Sequence, residues 1–192
     1  MAGSIRGTKT EQNLLKAFAG ESQARNRYTF FASEARKAGF EQIAAVFEET
    51  ALNEKEHAKV FFKHLEGGDL EITATYPAGA IKDTRANLAA AAAGEKAEWG
   101  TIYPDFARTA RTEGFPEVAQ SFEQIAKAEA FHEARYNKLG ANIDKGEVFK
   151  RKTSVKWHCI NCGYIAEGTE PPKVCPACKH PQAFYEVLAE NW

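Results

Sequence analysis

The sequence predicts a mainly α-helical protein, a four-helix bundle with one long crossover connection, followed by a small β-rich metal domain. Three observations carry this reading. Apolar residues recur every three or four positions through four long segments. The first half of the chain is repeated in the second. All four cysteines fall in the last quarter, in two C-x-x-C pairs. The bundle is expected over residues 1–146 and the metal domain over 147–192. A chain of 192 residues accommodates one medium domain and one small one.

The repeat orders the helices. Residues 28–61 align with 103–136 at a constant shift, pairing Tyr28 with Tyr103, Gly39-Phe40 with Gly114-Phe115, Phe47 with Phe122, Glu54 with Glu129 and His57 with His132. Upstream, Leu14, Ala17, Gly20 and Glu21 pair with Leu88, Ala91, Gly94 and Glu95, at a shift shorter by one residue. The third helix therefore holds one residue more than the first, somewhere between Glu95 and Tyr103. Insertions of this kind are commonly absorbed as a π-bulge near a functional site. A bulge is expected there, with an overwound or kinked helix as the alternative.

The four helices are expected at about 10–38, 40–66, 82–113 and 115–140. In the second, Ile43, Phe47, Ala51, Glu54, His57, Phe61 and Leu65 form one stripe. In the fourth, Val118, Phe122, Ile125, Glu129, His132, Tyr136 and Leu139 do the same. Gly39 and Gly114 suit the position just past a helix end, and Pro116 suits a first turn. Between the halves, residues 67–80 are polar with Gly and Pro. A connection of about 15 residues reaches about 50 Å when extended. A helix of about 27 residues is only about 40 Å long. The connection can thus return along the whole bundle.

Two features of the stripes are chemical. Glu54–His57 and Glu129–His132 are both Glu-x-x-His, a spacing that puts both side chains on one helix face. Each half also carries an in-line glutamate one helix upstream, Glu21 and Glu95, in an Ala-Gly-Glu context. Carboxylates on a packed stripe are costly unless compensated. The stripes hold too few Lys and Arg to pair all four. Two divalent cations would balance them. One Glu from each of two helices and Glu-x-x-His from the other two is the known ligand pattern of ferritin-like di-iron and di-manganese bundles. Glu98, three residues after Glu95, has no counterpart in the first half. It reads as a fifth carboxylate near the metals or as an interhelical charge. As the harder ion, ferric iron favours oxygen, so Glu98 is a candidate to replace His57 on oxidation. Tyr28 and Tyr103, two turns beyond the upstream glutamates, are candidates to hydrogen-bond the ligands. His64 reads as a solvated helix residue.

In the tail, Cys159-Ile160-Asn161-Cys162 and Cys175-Pro176-Ala177-Cys178 form two C-x-x-C turns, the spacing of tetrahedral thiolate coordination to zinc or iron. So short a segment buries little core, and the metal must help hold it together. Trp157, Tyr164, Phe184 and Tyr185 are expected to cluster beside it.

Composition excludes other classes. A net charge of −1 leaves no surplus of cations for phosphates, so no nucleic-acid partner is expected. No apolar run approaches the ~20 residues of a membrane span. Residues 1–6 lack a signal-peptide core and the cysteines read as metal ligands, so a cytoplasmic location is expected.

Cys159-Ile160-Asn161-Cys162-Gly163-Tyr164 with Cys175-Pro176-Ala177-Cys178 resembles rubredoxin. Joined to the duplicated bundle, the entire chain resembles the rubrerythrins, and the likeness extends to residues 19–28 and the short 163–174 loop. The resemblance implies a ferritin-like bundle plus a rubredoxin-like domain and three Fe per subunit. It also implies an oxidative-stress peroxidase that reduces hydrogen peroxide to water. Electrons would come ultimately from NAD(P)H through a separate redox protein or reductase. By matching motifs, Glu21 and Glu95 would be terminal ligands, with Glu54 and Glu129 bridging. His132 would bind one iron, while His57 and Glu98 exchange on the other. Cys159, Cys162, Cys175 and Cys178 would hold the mononuclear iron. Tyr28 and Tyr103 would assist at the site, in a head-to-tail homodimer. Iron storage and simple electron carriage are the rival functions.

Overall fold

The computed structural model describes residues 3–191, so residues 1, 2 and 192, at the outer ends of the two expected domains, lie outside the description. Four helical rods form the bundle. α1 spans Lys9–Lys37 and α2 spans Glu41–His64. The third rod is α3 (Thr84–Ala97), a π turn (Glu98–Ile102) and α4 (Tyr103–Thr112). The fourth is α5, Pro116–Asp144. α1 packs along α2, and the third rod packs along α5. The pairs meet through α2 with α5 and through α1 with α3 and α4. The connection between α2 and α3 contains no regular element, as a crossover along a bundle requires.

The duplicated glycines end their helices in the same way. Gly39 and Gly114 sit at φ 79° and 87°. The next amides, of Phe40 and Phe115, reach back to the carbonyls of Ala35 and Ala110 at 2.9 and 2.8 Å. This is the Schellman closure, which satisfies carbonyls that a helix end leaves free. Tight turns at both places hold each helix pair antiparallel.

One boundary differs from expectation. The fourth helix runs to Asp144 rather than stopping near 140, because Gly140 is a packing position and not a terminator. The Arg85 guanidinium lies 3.3 Å from where a Cβ on Gly140 would be, and its Nε donates to Asp144 at 2.9 Å. The helix ends instead at Gly146, with φ 65°.

Two apolar layers fill the bundle. Tyr28, Phe31, Phe47, Leu88 and Tyr136 form one; Leu14, Phe61, Tyr103, Phe122 and Val118 form the other. Each fully buried aromatic contributes about 1.5–3 kcal/mol by leaving water. In sequence, the in-line glutamates and histidines fall between the two layers.

The tail forms a three-stranded antiparallel sheet in the order β2-β1-β3, with β1 at Val155–Cys159, β2 at Ile165–Gly168 and β3 at Tyr185–Val187. Trp157, Tyr185, Cys159 and Cys175 are its buried core, with Phe184 packed against them. Tyr164 is not part of that cluster. It is 39% exposed, on the turn after Cys162. The tail docks on the start of α2, where Ala183 meets Gly39 and Phe149 stacks on Phe40.

Candidate metal centre

Glu21, Glu54, Glu95 and Glu129 are 0–1% exposed and His132 is 3% exposed. Glu21 comes from α1, Glu95 from the last turn of α3, and the Glu-x-x-His pairs from α2 and α5. They form two overlapping four-residue groups, Glu21, Glu54, His57, Glu129 and Glu54, Glu95, Glu129, His132. Within each group the donor atoms lie within 4.8 Å of one another. Glu54 and Glu129 belong to both.

The shared carboxylates face both ways. His57 Nδ1 is 2.9 Å from Glu129 Oε1 and 3.1 Å from Glu54 Oε2. His132 Nδ1 is 2.8 Å from Glu129 Oε2 and 3.3 Å from Glu54 Oε1. Each of these two glutamates thus turns one oxygen toward each histidine. Despite these approaches, Glu21 Oε2, Glu54 Oε1, Glu95 Oε2, both Glu129 oxygens and His132 Nδ1 satisfy no hydrogen bond. Donors aimed at common centres rather than at one another behave this way. Among the described residues, no Lys or Arg forms an ion pair with these glutamates. Orphaned buried polar atoms cost about 1–3 kcal/mol each, more when charged. The donor set therefore fits two divalent cations.

Electrostatics without metal points the same way. Burial and the charges of Glu54 and Glu129 push the Glu21 carboxyl well above the ordinary range. Burial raises Glu95 to about 8. For His57 burial opposes the charged ring, but the nearby Glu129 and Glu54 carboxylates, positioned to accept from it and opposite in charge, outweigh burial and raise the group to about 9. The same balance, with Glu129, Glu54 and Glu95 as partners, takes His132 to about 12. At Glu54 burial is outweighed by hydrogen bonds donated by His132 and His57, which lower its carboxyl to about 2. Without a cation, Glu21 and Glu95 therefore hold protons while Glu54 is balanced by the two histidines.

The tyrosines act crosswise. Tyr28 on α1 donates to Glu95 Oε1, and Tyr103 on α4 donates to Glu21 Oε1, each at 2.5 Å. Each half of the repeat supports the ligand of the other. The expected bulge is present as the π turn at Glu98–Ile102, closed by the Tyr103 amide on the Glu98 carbonyl.

Glu98 stands apart from both four-residue groups. It is half-buried on the π turn. Burial, then the charges of Glu95 and Glu129, push its carboxyl well above the ordinary range.

Three other residues carry no signal in the sequence pattern. Trp99 Nε1 donates to Glu133 Oε2 at 2.6 Å, tying the π turn to α5 beside His132, and the Lys96 ammonium sits 3.6 Å over its ring. Tyr76, on the aperiodic crossover, donates to the Lys16 carbonyl at 2.7 Å. His64 is half-buried rather than solvated, with Nε2 2.9 Å from Ser121 Oγ.

The four cysteines converge as a second centre. Cys159 Sγ is 3.8 Å from Cys178 Sγ, and Cys162 Sγ is 3.7 Å from Cys175 Sγ. These gaps are too long for disulfides. They match the edge of about 3.8 Å that metal–sulfur bonds of ~2.3 Å set in a tetrahedron. The His180 amide, foremost, holds the Cys178 thiol down at about 6. At Cys162 the Tyr164 amide acts in the same direction, but desolvation and the neighbouring thiols outweigh it and raise the thiol to about 12.

Comparisons with known proteins agree with this anatomy. The family model described as rubrerythrin matches residues 12–140, and that of the rubrerythrin rubredoxin-like domain matches 157–186. A rubrerythrin of Porphyromonas gingivalis is 60% identical, covering 100% of this chain and 96% of its own. One of Nitratidesulfovibrio vulgaris is 57% identical over 98% of this chain and 99% of its own. Among solved structures, a nigerythrin in its fully reduced, all-ferrous state superposes with a TM-score of 0.63 at 32% identity. It covers 97% of this chain and 92% of its own. The Glu/His groups fit a di-iron site and the four thiolates fit a mononuclear iron. The chain belongs to the rubrerythrin family, iron-dependent oxidoreductases that join a di-iron bundle to a rubredoxin-like domain.

Proposed function

We propose that this protein reduces hydrogen peroxide to water, taking two electrons and two protons per peroxide, with electrons entering through the four-cysteine iron. The observation that carries the reading is the two-sided presentation of Glu54 and Glu129, each with one oxygen toward His57 and the other toward His132. When bound, a pair of ferrous ions supplies two electrons together and polarises both oxygens of the substrate.

In this reading Glu21 and Glu95 would each serve one iron and Glu54 and Glu129, members of both donor groups, would serve both. His132 holds one iron, and His57 and Glu98 serve the other in different redox states. The fourteen-per-cent-exposed His57 side chain is the more accessible histidine, against 4% for His132, which supports the exchange on its side. Tyr28 and Tyr103 are held neutral by burial and by the adjacent Glu95 and Glu21, so they remain donors that fix these carboxylates. The two apolar layers keep bulk water from the buried carboxylates.

Cys159, Cys162, Cys175 and Cys178 hold the electron-transfer iron in the proposal, within a domain that begins at residue 147. Its docking contact at Gly39 lies 15 residues along the chain from Glu54, about 22 Å at 1.5 Å per residue. Delivery from a second copy in a head-to-tail homodimer is part of the same proposal. Electrons would reach the dimer from a separate redox protein supplied by NAD(P)H.

Anaerobic stopped-flow mixing of the reduced protein tests the reading. Much faster oxidation by peroxide than by oxygen supports peroxidase chemistry; preference for oxygen with mineral formation supports iron storage instead. A Cys159→Ser variant is expected to complete one round of peroxide reduction and then stop, and sustained turnover would defeat the electron route.

A further inference from the structure

A cavity of about 630 Å³ lies between α1, the π turn and the crossover segment around Tyr76. Its lining includes Glu98 and Tyr103, whose hydroxyl holds Glu21. Glu98 faces two ways. It lines this cavity, and it lies close enough to Glu95 and Glu129 to feel their charge.

The outer wall is the crossover. Tyr76 is tied to α1 by its hydroxyl on the Lys16 carbonyl, and its ring covers Gly20, where a Cβ would stand 3.6 Å from Cε1. Across the cavity, a Cβ on Gly94 would stand 3.7 Å from Arg27 Nη2. Gly20 and Gly94 are equivalent positions of the repeat, and each immediately precedes a cluster glutamate. At both places a Cβ would make only ordinary van der Waals contact, so the Tyr76 ring and Arg27 lie against the helices that carry Glu21 and Glu95. The clustered Glu and His residues line neither this cavity nor those at Phe18–Phe62 and Pro104–Lys127, but of the three this one is lined by Glu98 and by Tyr103, which touches Glu21. The volume far exceeds the share of about 30 Å³ that one water takes in the liquid. A small hydrogen-bonding solute can therefore enter together with the water that supplies its protons.

We infer that this cavity is the port by which hydrogen peroxide and hydrated metal ions reach the di-iron cluster, with Glu98 in its lining and the Tyr76 strap as its outer wall. The port rests on the peroxidase reading for its oxidant but not for its metal ions, and that difference separates the two tests. The strap residues Thr73 and Ala74 line the cavity and are exposed, so a large side chain at either enters the port without displacing core.

The experiment compares wild type, Thr73→Trp, Ala74→Trp and Tyr76→Ala in two assays. The first is the rate at which the full chain, with its four-cysteine centre already holding zinc and the bundle site empty, takes up cobalt(II), read by cobalt absorption. The second is the rate at which peroxide oxidises the reduced, iron-loaded protein. The tryptophan variants are expected to slow both by about tenfold. Tyr76→Ala is expected to speed cobalt uptake, with the final cobalt spectrum unchanged in all. Wild-type rates in both assays for both tryptophan variants would overturn the port and leave the peroxidase reading standing. Slowed cobalt uptake in the variants beside a wild type inert to peroxide would support the port and overturn the peroxidase reading.

Discussion

Tyr103 reaches Glu21 with the same 2.5 Å hydrogen bond that Tyr28 makes to Glu95, although the rod carrying Tyr103 holds an extra residue between its glutamate and its tyrosine. The π turn at Glu98–Ile102 absorbs that residue, so the downstream face keeps its register. The turn also carries Glu98 out to the cavity side. A duplicated scaffold thus keeps its symmetric hydrogen bonds while gaining one asymmetric carboxylate.

Deleting Gly100 is expected to turn the π turn into ordinary helix. The Tyr103–Glu21 bond and the four-glutamate cluster should survive, and with them the helix content and the bundle's metal load. Glu98 should be displaced, and peroxide oxidation of the reduced protein should slow by about tenfold or more. A deletion variant reacting at the wild-type rate would remove Glu98 and its bulge from the account.

Replacing Tyr103 with Phe leaves Glu21 Oε1 buried without its donor. In the metal-free chain this is expected to lower stability by about 1–3 kcal/mol, read by urea unfolding. Tyr28→Phe should behave alike through Glu95. A null effect at both positions would mean that the crosswise bonds do not hold the carboxylates.

Glu113 caps α1 from the end of α4, accepting from the Thr10 hydroxyl at 2.6 Å and from the amides of Thr10 and Lys9 at 2.8 and 3.1 Å. These bonds, that from the Thr10 side chain foremost, hold its carboxyl below the ordinary range. The folded value is depressed, so its stabilisation is present above the unfolded carboxylate value and is lost as pH falls through the lower, folded one. Glu113→Gln should therefore be less stable than wild type at neutral pH, with the gap closing in acid. A gap that is constant from pH 7 to pH 3 would contradict the cap.

Gly163 and Lys179 follow the second cysteine of their respective pairs, at φ 80° and 63°. Glycine adopts this region freely, whereas a side chain there costs about 1–2 kcal/mol. Part of that gain is offset by the freer unfolded chain. Lys179→Gly is expected to slow iron loss from the cysteine centre to a chelator, and faster loss would show that the Lys179 ammonium bond to the Pro176 carbonyl outweighs the backbone strain.

Much of this was legible in the sequence, for identifiable reasons. The helices, the paired Schellman glycines and the π turn are readable because burial in a bundle imposes a strict period, and the repeat exposes any break in it. The cluster is readable because Glu21, Glu54, Glu95 and Glu129 occupy positions where apolar residues belong. What escaped depends on partners across space. The exact end of α5, expected at about 140, lies at Asp144, and the packing of Arg85 against Gly140 is not visible in the pattern. Nothing in the pattern links Tyr76 to Lys16 or Trp99 to Glu133, since neither pair recurs in the repeat. Nor does spacing alone reveal that each tyrosine serves the opposite half's glutamate.

The most direct measurement is anomalous diffraction at the iron edge from crystals of aerobically isolated, iron-replete protein. The account predicts two iron peaks inside the bundle, flanked by Glu54 and Glu129, and a third among Cys159, Cys162, Cys175 and Cys178. A bundle with no iron between those two glutamates, or glutamates turned out to water, would contradict it.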